Sequence, residues 1–317
     1  MLTAKQLKRE KVSTSNTLPV VCENIIAMNR HFIQKDDPGS FEKRAVLTAL
    51  RQAVGRGGEI GTSIWKTCSW NIETEILEIE WPEEKTGTAN SMTFSCDNDN
   101  LEVDFFHSMA CYLMIQEGRH GSTNESKYLF TCFANLQKGG ASAKVHKAIK
   151  ECVGVVNGIS SSMSPSGVRV GASDEMVFNP LLNLSAAIVQ GGWAFEGETR
   201  LFYYITKRMH VSRAGLVLGN HADPTMHCPM YRIDHIVDES NKQKFHNYIN
   251  ELFGHNVPGA EGLDVIKAYF FASLLYWFDD FNATYSTTNT ITKRMLSIGR
   301  KFDIGLKVLK DWSKIVR

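Results

Sequence analysis

Two hydrophobic periods run along this chain. FEKRAVLTALRQAVG, residues 41–55, places Val46, Leu47, Leu50 and Val54 on one face and predicts a helix. ILEIEW, residues 76–81, alternates strictly, with Leu77, Ile79 and Trp81 on one side and Glu78 and Glu80 on the other. SMTFSC, residues 91–96, alternates too, with Met92, Phe94 and Cys96 together. The polar PEEKTGTAN between these two strands predicts a hairpin. LEVDFFHSMACYLMI, residues 101–115, reads as a helix with Phe105, Met109, Tyr112 and Leu113 on one face. SAKVHKAIKECVGVV, residues 142–156, reads as another, with Val145, Ile149, Cys152 and Val153 inward. Its outer face carries Lys144, Lys147 and Lys150, a solvated face or one that touches phosphates.

From Ser164 a further helix is expected, with Val177, Leu181, Leu184, Ile188 and Val189 buried and Gly191-Gly192 as its C-cap. Trp193 turns the corner, and Leu201 to Ile205 begins an apolar segment that holds Tyr203 and Tyr204. RMHVSRAGLVLGNHADPTMHC, residues 208–228, reads as loop, and 240–253, 261–280 and 288–311 as three helices. Asp36 to Ser40 reads as a turn. The pattern predicts an α+β, mainly α-helical protein with a small antiparallel β-sheet.

Composition narrows this only slightly. The chain has 317 residues, 43% hydrophobic and 22% charged, with a net charge of +1. Such a balance gives no support to nucleic-acid binding by bulk charge, although a sum cannot show how charge is segregated. Seven cysteines without a C-x-x-C pair argue against a disulfide framework or zinc ribbon and suggest a reducing compartment. His221, His227 and Cys228 lie close together but lack a fourth ligand at the usual spacing, so no metal is expected. The first residues, MLTAKQLKREKVSTSN, have no apolar core and read as a solvated tail, a phosphate-contacting arm or a nuclear targeting signal. The longest apolar run, AYFFASLLYWF, is far short of the roughly 20 residues of a spanning helix, so no membrane partner is expected.

The candidate chemistry comes from an ordered set of short motifs. Gly55 to Gly61 is glycine-rich but follows a helix, and its third glycine is misplaced for a dinucleotide loop. It does contain Arg56-x-x-Glu59. Lys85-Thr86 lies on the predicted hairpin, Ser166-x-x-Arg169 opens a small-residue helix, Gly191-Gly192-Trp193 forms a corner, and Tyr203-Tyr204 follows. Taken singly, these are a surface arginine, a solvated lysine and packed aromatics. In this order and spacing the set resembles the catalytic domain of the tyrosine recombinases, the phage-integrase class. Within that class it is similar to transposon-encoded eukaryotic enzymes of the Crypton type.

The resemblance covers residues 41–205, with 1–40 as an arm or remnant of a core-binding domain and 206–317 as a helical C-terminal extension. The family usually has a core-binding domain of about a hundred residues before the catalytic one. The resemblance implies that Arg56 and Arg169 clamp a phosphate, because planar guanidinium pairs match phosphate oxygens. It implies Lys85 as general acid, Trp193 as a further donor, Glu59 as a supporting residue and Tyr204 as nucleophile, with Tyr203 the second choice. Neither metal nor cofactor is implied. The implied partner is double-stranded DNA, with self-association into a tetramer on it, in a nucleus if the host is eukaryotic and otherwise in the cytoplasm. Ser166 departs from the histidine that the family more often carries. An inactive DNA-binding protein that keeps the fold is therefore a second reading, and an unrelated helical interaction protein a third. The first two require the side chains of Arg56, Lys85, Arg169, Trp193 and one tyrosine to surround one pocket.

Overall fold

The computed structural model describes residues 17–71, 76–81, 90–120, 128–134, 136, 139–180, 182, 187, 190–191, 215–219, 233, 236, 241–254 and 263–317. Among the described residues the first helices are α1 (Cys22–Lys35), α2 (Pro38–Gln52) and the short α3 (Gly57–Thr62). A sheet follows, of β1 (Cys68–Asn71), β2 (Ile76–Trp81) and β3 (Asn90–Phe94). Then come α4 (Phe105–His120), α5 (Gly140–Glu151) and α6 (Pro165–Phe178). The C-terminal part contributes α7 (Lys242–Phe253), α8 (Leu263–Tyr276), α9 (Phe278–Tyr285), α10 (Thr290–Gly299) and α11 (Leu306–Val316). The fold is mainly helical, with a three-stranded antiparallel sheet in the order β1-β2-β3. Leu77 pairs with Phe94 and Ile79 with Met92, as the alternation required.

Several boundaries differ from the sequence expectation, each for a local reason. Helix α1 was not anticipated. Its buried positions Ile25, Met28, Asn29, Phe32 and Ile33 do follow helical spacing, and the Asn24 side chain accepts the Val21 N–H at 3.2 Å to start it. The expected turn at 36–40 is shorter. Asp36 takes a left-handed conformation (φ 50°), Asp37 caps the next helix through Ser40 N–H at 3.0 Å, and Pro38 already occupies the first turn. Helix α4 starts at Phe105, four residues later than expected. The Asp104 carboxylate accepts the N–H of Phe106 at 2.9 Å and of His107 at 3.3 Å, which fixes the helix start. Helix α5 ends at Glu151, and Val155 beyond it is 64% exposed. Helix α6 ends at Phe178, and Val177, expected inside, is exposed while Met176 is buried. Leu181, Leu184, Ile188 and Val189 lie outside the described residues. The three expected C-terminal helices are five among the described residues. The chain breaks at Trp277, and again at Asp303, which has a φ of 52°.

Helix α2 is the centre of the fold. It packs on α1, α3, α4, α5 and α6. Val46, Leu47, Leu50 and Val54 are buried as expected, and so is its polar side. Arg44 is fully buried and donates to the Leu101 carbonyl at 2.5 Å and to His107 Nδ1 at 2.9 Å. Buried cations are tolerated only when hydrogen-bonded in this way. Asp104 is the matching buried acid. Beyond its capping role it accepts the Trp277 indole N–H at 2.7 Å, which ties the α8–α9 corner to α4. One hydrophobic cluster runs from Val20 through α1, α2, α4 and α5 to Ile304 and Leu309, so the C-terminal helices share the core of residues 41–205.

Two glycines allow a close contact between α3 and α5. A Cβ at Gly61 would sit 2.3 Å from the Ala141 Cβ, and one at Gly57 would sit 2.9 Å from the Ser142 Cα. Only bare backbone lets α3 lie this near α5. Gly61→Ala is expected to destabilise the protein by about 1–3 kcal/mol through overpacking. The double change Gly61→Ala with Ala141→Gly restores the space and is expected to recover most of that loss, read by chemical denaturation.

Burial pushes the Asp104 carboxyl from 3.8 up to about 7, against the pull of the Trp277 N–H. Its folded value is raised, so its contribution to stability is full below about 4 and is lost as pH rises through about 7. Asp104→Asn removes the titration. Denaturation between these limits is expected to show a slope difference between the two proteins approaching 1.4 kcal/mol per pH unit. Parallel curves would contradict the assignment.

Candidate phosphate-clamp site

Arg56 stands in extended conformation at the N-cap of α3 (φ −85°, ψ 147°). Three residues on, the Glu59 carboxylate turns back. It accepts the Arg56 backbone N–H at 2.6 Å and its Nη1 at 2.7 Å. The backbone bond satisfies one of the helix's orphan donors, and an acid in the first turn complements its dipole. Glu59 is only 9% exposed, whereas Arg56 is 51% exposed. The arginine therefore reaches solvent from a carboxylate buried beneath it.

Arg169 arrives from the other half of the chain. Ser164 caps α6 by accepting the Gly167 N–H at 3.3 Å, and Pro165 fits the first turn. Gly167 and Gly171 lie on one face, one turn apart. A Cβ on Gly167 would fall 2.3 Å from the Leu18 carbonyl oxygen, and one on Gly171 would fall 2.2 Å from that of Val20. Val20 N–H also donates to the Gly167 carbonyl at 2.9 Å. This backbone contact fixes α6 against residues 18–20 and turns Arg169, midway between the glycines, to the opposite side. Its Nη1 lies 3.6 Å from Glu59 Oε2, and its Nη2 donates to the Gly191 carbonyl at 2.6 Å. At the far end of α6, Glu175 accepts from buried Arg51 of α2 at 2.5 Å. The helix is thus held at both ends.

The two sequence-predicted arginines and Glu59 therefore meet. The Arg169 guanidinium lies below its ordinary value because of burial and then the like charge of Arg56, with Glu59 opposing. An arginine stays protonated under these conditions. Among the described residues, one carboxylate, Glu59, contacts both guanidiniums, and Arg56 stays half-exposed. Ser166 sits exposed in the first turn of α6, one turn before Arg169. Lys85, Trp193, Tyr203 and Tyr204 lie outside the described residues, as do His221, His227 and Cys228.

Gln190 and Gly215, on either side of residues 192–214, are fixed by side chains that the sequence pattern did not single out. Gln190 donates to the Gln52 carbonyl at 2.8 Å and to the Thr93 carbonyl at 3.3 Å, and accepts from Thr93 Oγ1 at 3.2 Å. Ser95 Oγ donates to the Gly215 carbonyl at 2.7 Å. Gln52 binds the backbone of Ser95 on both its amide atoms. All four side chains are buried. Residues 190 and 215 are thus both secured to β3 and the strand end after it. The available signal was an amide inside an apolar run, as in ALRQAV and AAIVQGG.

Glu59→Ala is expected to cost about 2 kcal/mol, because it removes a helix cap and a carboxylate that contacts part-buried Arg169. Arg56→Ala is expected to cost less than about 1 kcal/mol, since its guanidinium is half in water. Chemical denaturation of the two variants checks the order.

No family model, no curated protein and no solved structure matches this chain.

Proposed function

We propose that this protein cleaves and rejoins DNA strands through a 3′-phosphotyrosyl intermediate, as a transposon-type recombinase would. The observation that carries the proposal is the meeting of Arg56 and Arg169 on one buried carboxylate, with Arg169 bonded to Gly191, two residues before Trp193. The helix order, with an antiparallel strand pair flanking Lys85, agrees with it.

In this mechanism the tyrosine oxygen bonds to phosphorus as its hydroxyl proton passes to solvent, and the 5′-oxygen departs with a proton from Lys85. Covalent capture splits one difficult exchange into two easier transfers and conserves the energy of the diester. Arg56 and Arg169 stabilise the extra negative charge on the non-bridging oxygens, and Trp193 adds a donor. Glu59 holds both guanidiniums in register. Tyr204 is the nucleophile, with Tyr203 the second choice. The hydroxyl attack requires neither metal nor ATP. Double-stranded DNA is the partner, and strand exchange calls for self-association on it.

Ser166 favours a second reading, a DNA-binding protein that keeps this architecture without turnover. A serine hydroxyl can donate to a phosphate oxygen but holds no proton charge near neutral pH. A nicked suicide duplex, run on a denaturing gel, separates the two. Arg169→Ala is expected to lower covalent capture on the order of 10²- to 10³-fold. Arg169→Lys is expected to rescue it poorly, because lysine lacks the planar fork. Tyr204→Phe is expected to abolish capture and Tyr203→Phe to retain it. Capture that survives in the double Tyr→Phe variant would remove both tyrosines from the mechanism.

A further inference from the structure

The outer face of α5 is the strongest feature that the proposed chemistry leaves unused. Lys144, Lys147 and Lys150 are all exposed and recur every three residues. At 1.5 Å per residue they span about 9 Å, the length of two or three phosphate steps on one DNA strand. Lys144 donates to the Cys132 carbonyl and Lys150 to the Ser161 carbonyl. Neutral carbonyls steady these side chains without cancelling their charge. The acid on this helix, Glu151, is already held by Lys43 at 2.6 Å and Lys35 at 3.8 Å. Lys144, Lys147 and Lys150 thus form an exposed basic row on one helix of a chain whose total charge is only +1.

Its place in the fold is equally specific. Helix α5 packs on α3 and α6, the helices that present Arg56 and Arg169. Gly57, next to Arg56, abuts Ser142 at one end of α5. At the other end, Lys150 holds the loop that leads into α6 through Ser161. We propose that this lysine face is a docking track for the sugar-phosphate backbone of duplex DNA that flanks the arginine pair. The inference rests on the DNA reading above and adds where the duplex lies.

The test measures affinity for a duplex of arbitrary sequence, about three helical turns long, across a series of salt concentrations. Each phosphate contact contributes about −0.9 to the slope of log K against log salt. The triple change of Lys144, Lys147 and Lys150 to Gln is expected to lower the steepness by about 2–3. Should the triple variant misfold, Lys147→Gln alone is expected to lower it by about 1. The exposed Lys307, Lys310 and Lys314 of α11, which packs on α8 and α9, provide the control with the same charge change. Their triple Gln variant is expected to keep the wild-type slope. An unchanged slope in the α5 variant, an equal fall in the α11 variant, or no duplex binding by the wild type overturns the proposal. Covalent capture with no slope change defeats the track alone. The expected slope change without any capture defeats the recombinase reading alone.

Discussion

One buried carboxylate joins the two halves of the candidate site. Arg56 and Arg169 carry like charges, and Glu59 contacts both guanidiniums. Glu59 is bonded to the Arg56 backbone as well as its side chain, so the ion pair is built into the start of α3. Two backbone contacts then fix where α3 and α6 can lie. Gly57 and Gly61 press α3 onto α5, and Gly167 and Gly171 press α6 onto residues 18–20. Each pair is spaced by one helical turn, so each offers a continuous strip of bare backbone. Electrostatic pairing at the site and steric intimacy behind it are complementary, since the glycines position the helices and Glu59 aligns what they carry.

Behind the site, buried polar groups connect parts of the chain that hydrophobic packing alone would leave loosely oriented. Arg44, Asp104 and Trp277 tie the central helix, the start of α4 and the C-terminal helices into one unit. Arg51 binds Glu175 of α6 and also the Leu218 carbonyl. Such groups are costly unless satisfied, so a network of this kind specifies one arrangement more sharply than apolar contacts do. Residues 206–317, expected as an extension, contribute to the same hydrophobic core as the segment with the arginines.

The strands, the helices around α2, α4 and α5, and the arginine-bearing turns were legible in the sequence because each has a clean period or a glycine mark. The ends of the helices were less so. Asp104, Asp37 and Gly139 set starts through capping, which hydrophobic spacing does not report. Helix α1 escaped notice because its first turn follows a long polar tail, and β1 because four residues are too few to show alternation. In the site, Arg56, Glu59 and Arg169 were legible as motif residues, yet their shared contact was not, since it joins positions on different helices. The Gln52, Thr93, Ser95 and Gln190 anchors lay in apolar runs and read there as interruptions. The lysine face of α5 was visible as spacing, but its nearness to the arginines required the packing.

Covalent capture is the central claim, and the most direct measurement locates the bond itself. The wild-type protein is incubated with a nicked suicide duplex and the DNA-linked product is digested with trypsin. Cleavage after Arg200 and Lys207 releases one peptide, LFYYITK, that contains both candidate tyrosines. Mass spectrometry with fragmentation is expected to find a nucleotide remnant on that peptide, at Tyr204. A DNA adduct mapped to any other peptide, or no covalent adduct from a protein that binds the duplex, would contradict the account.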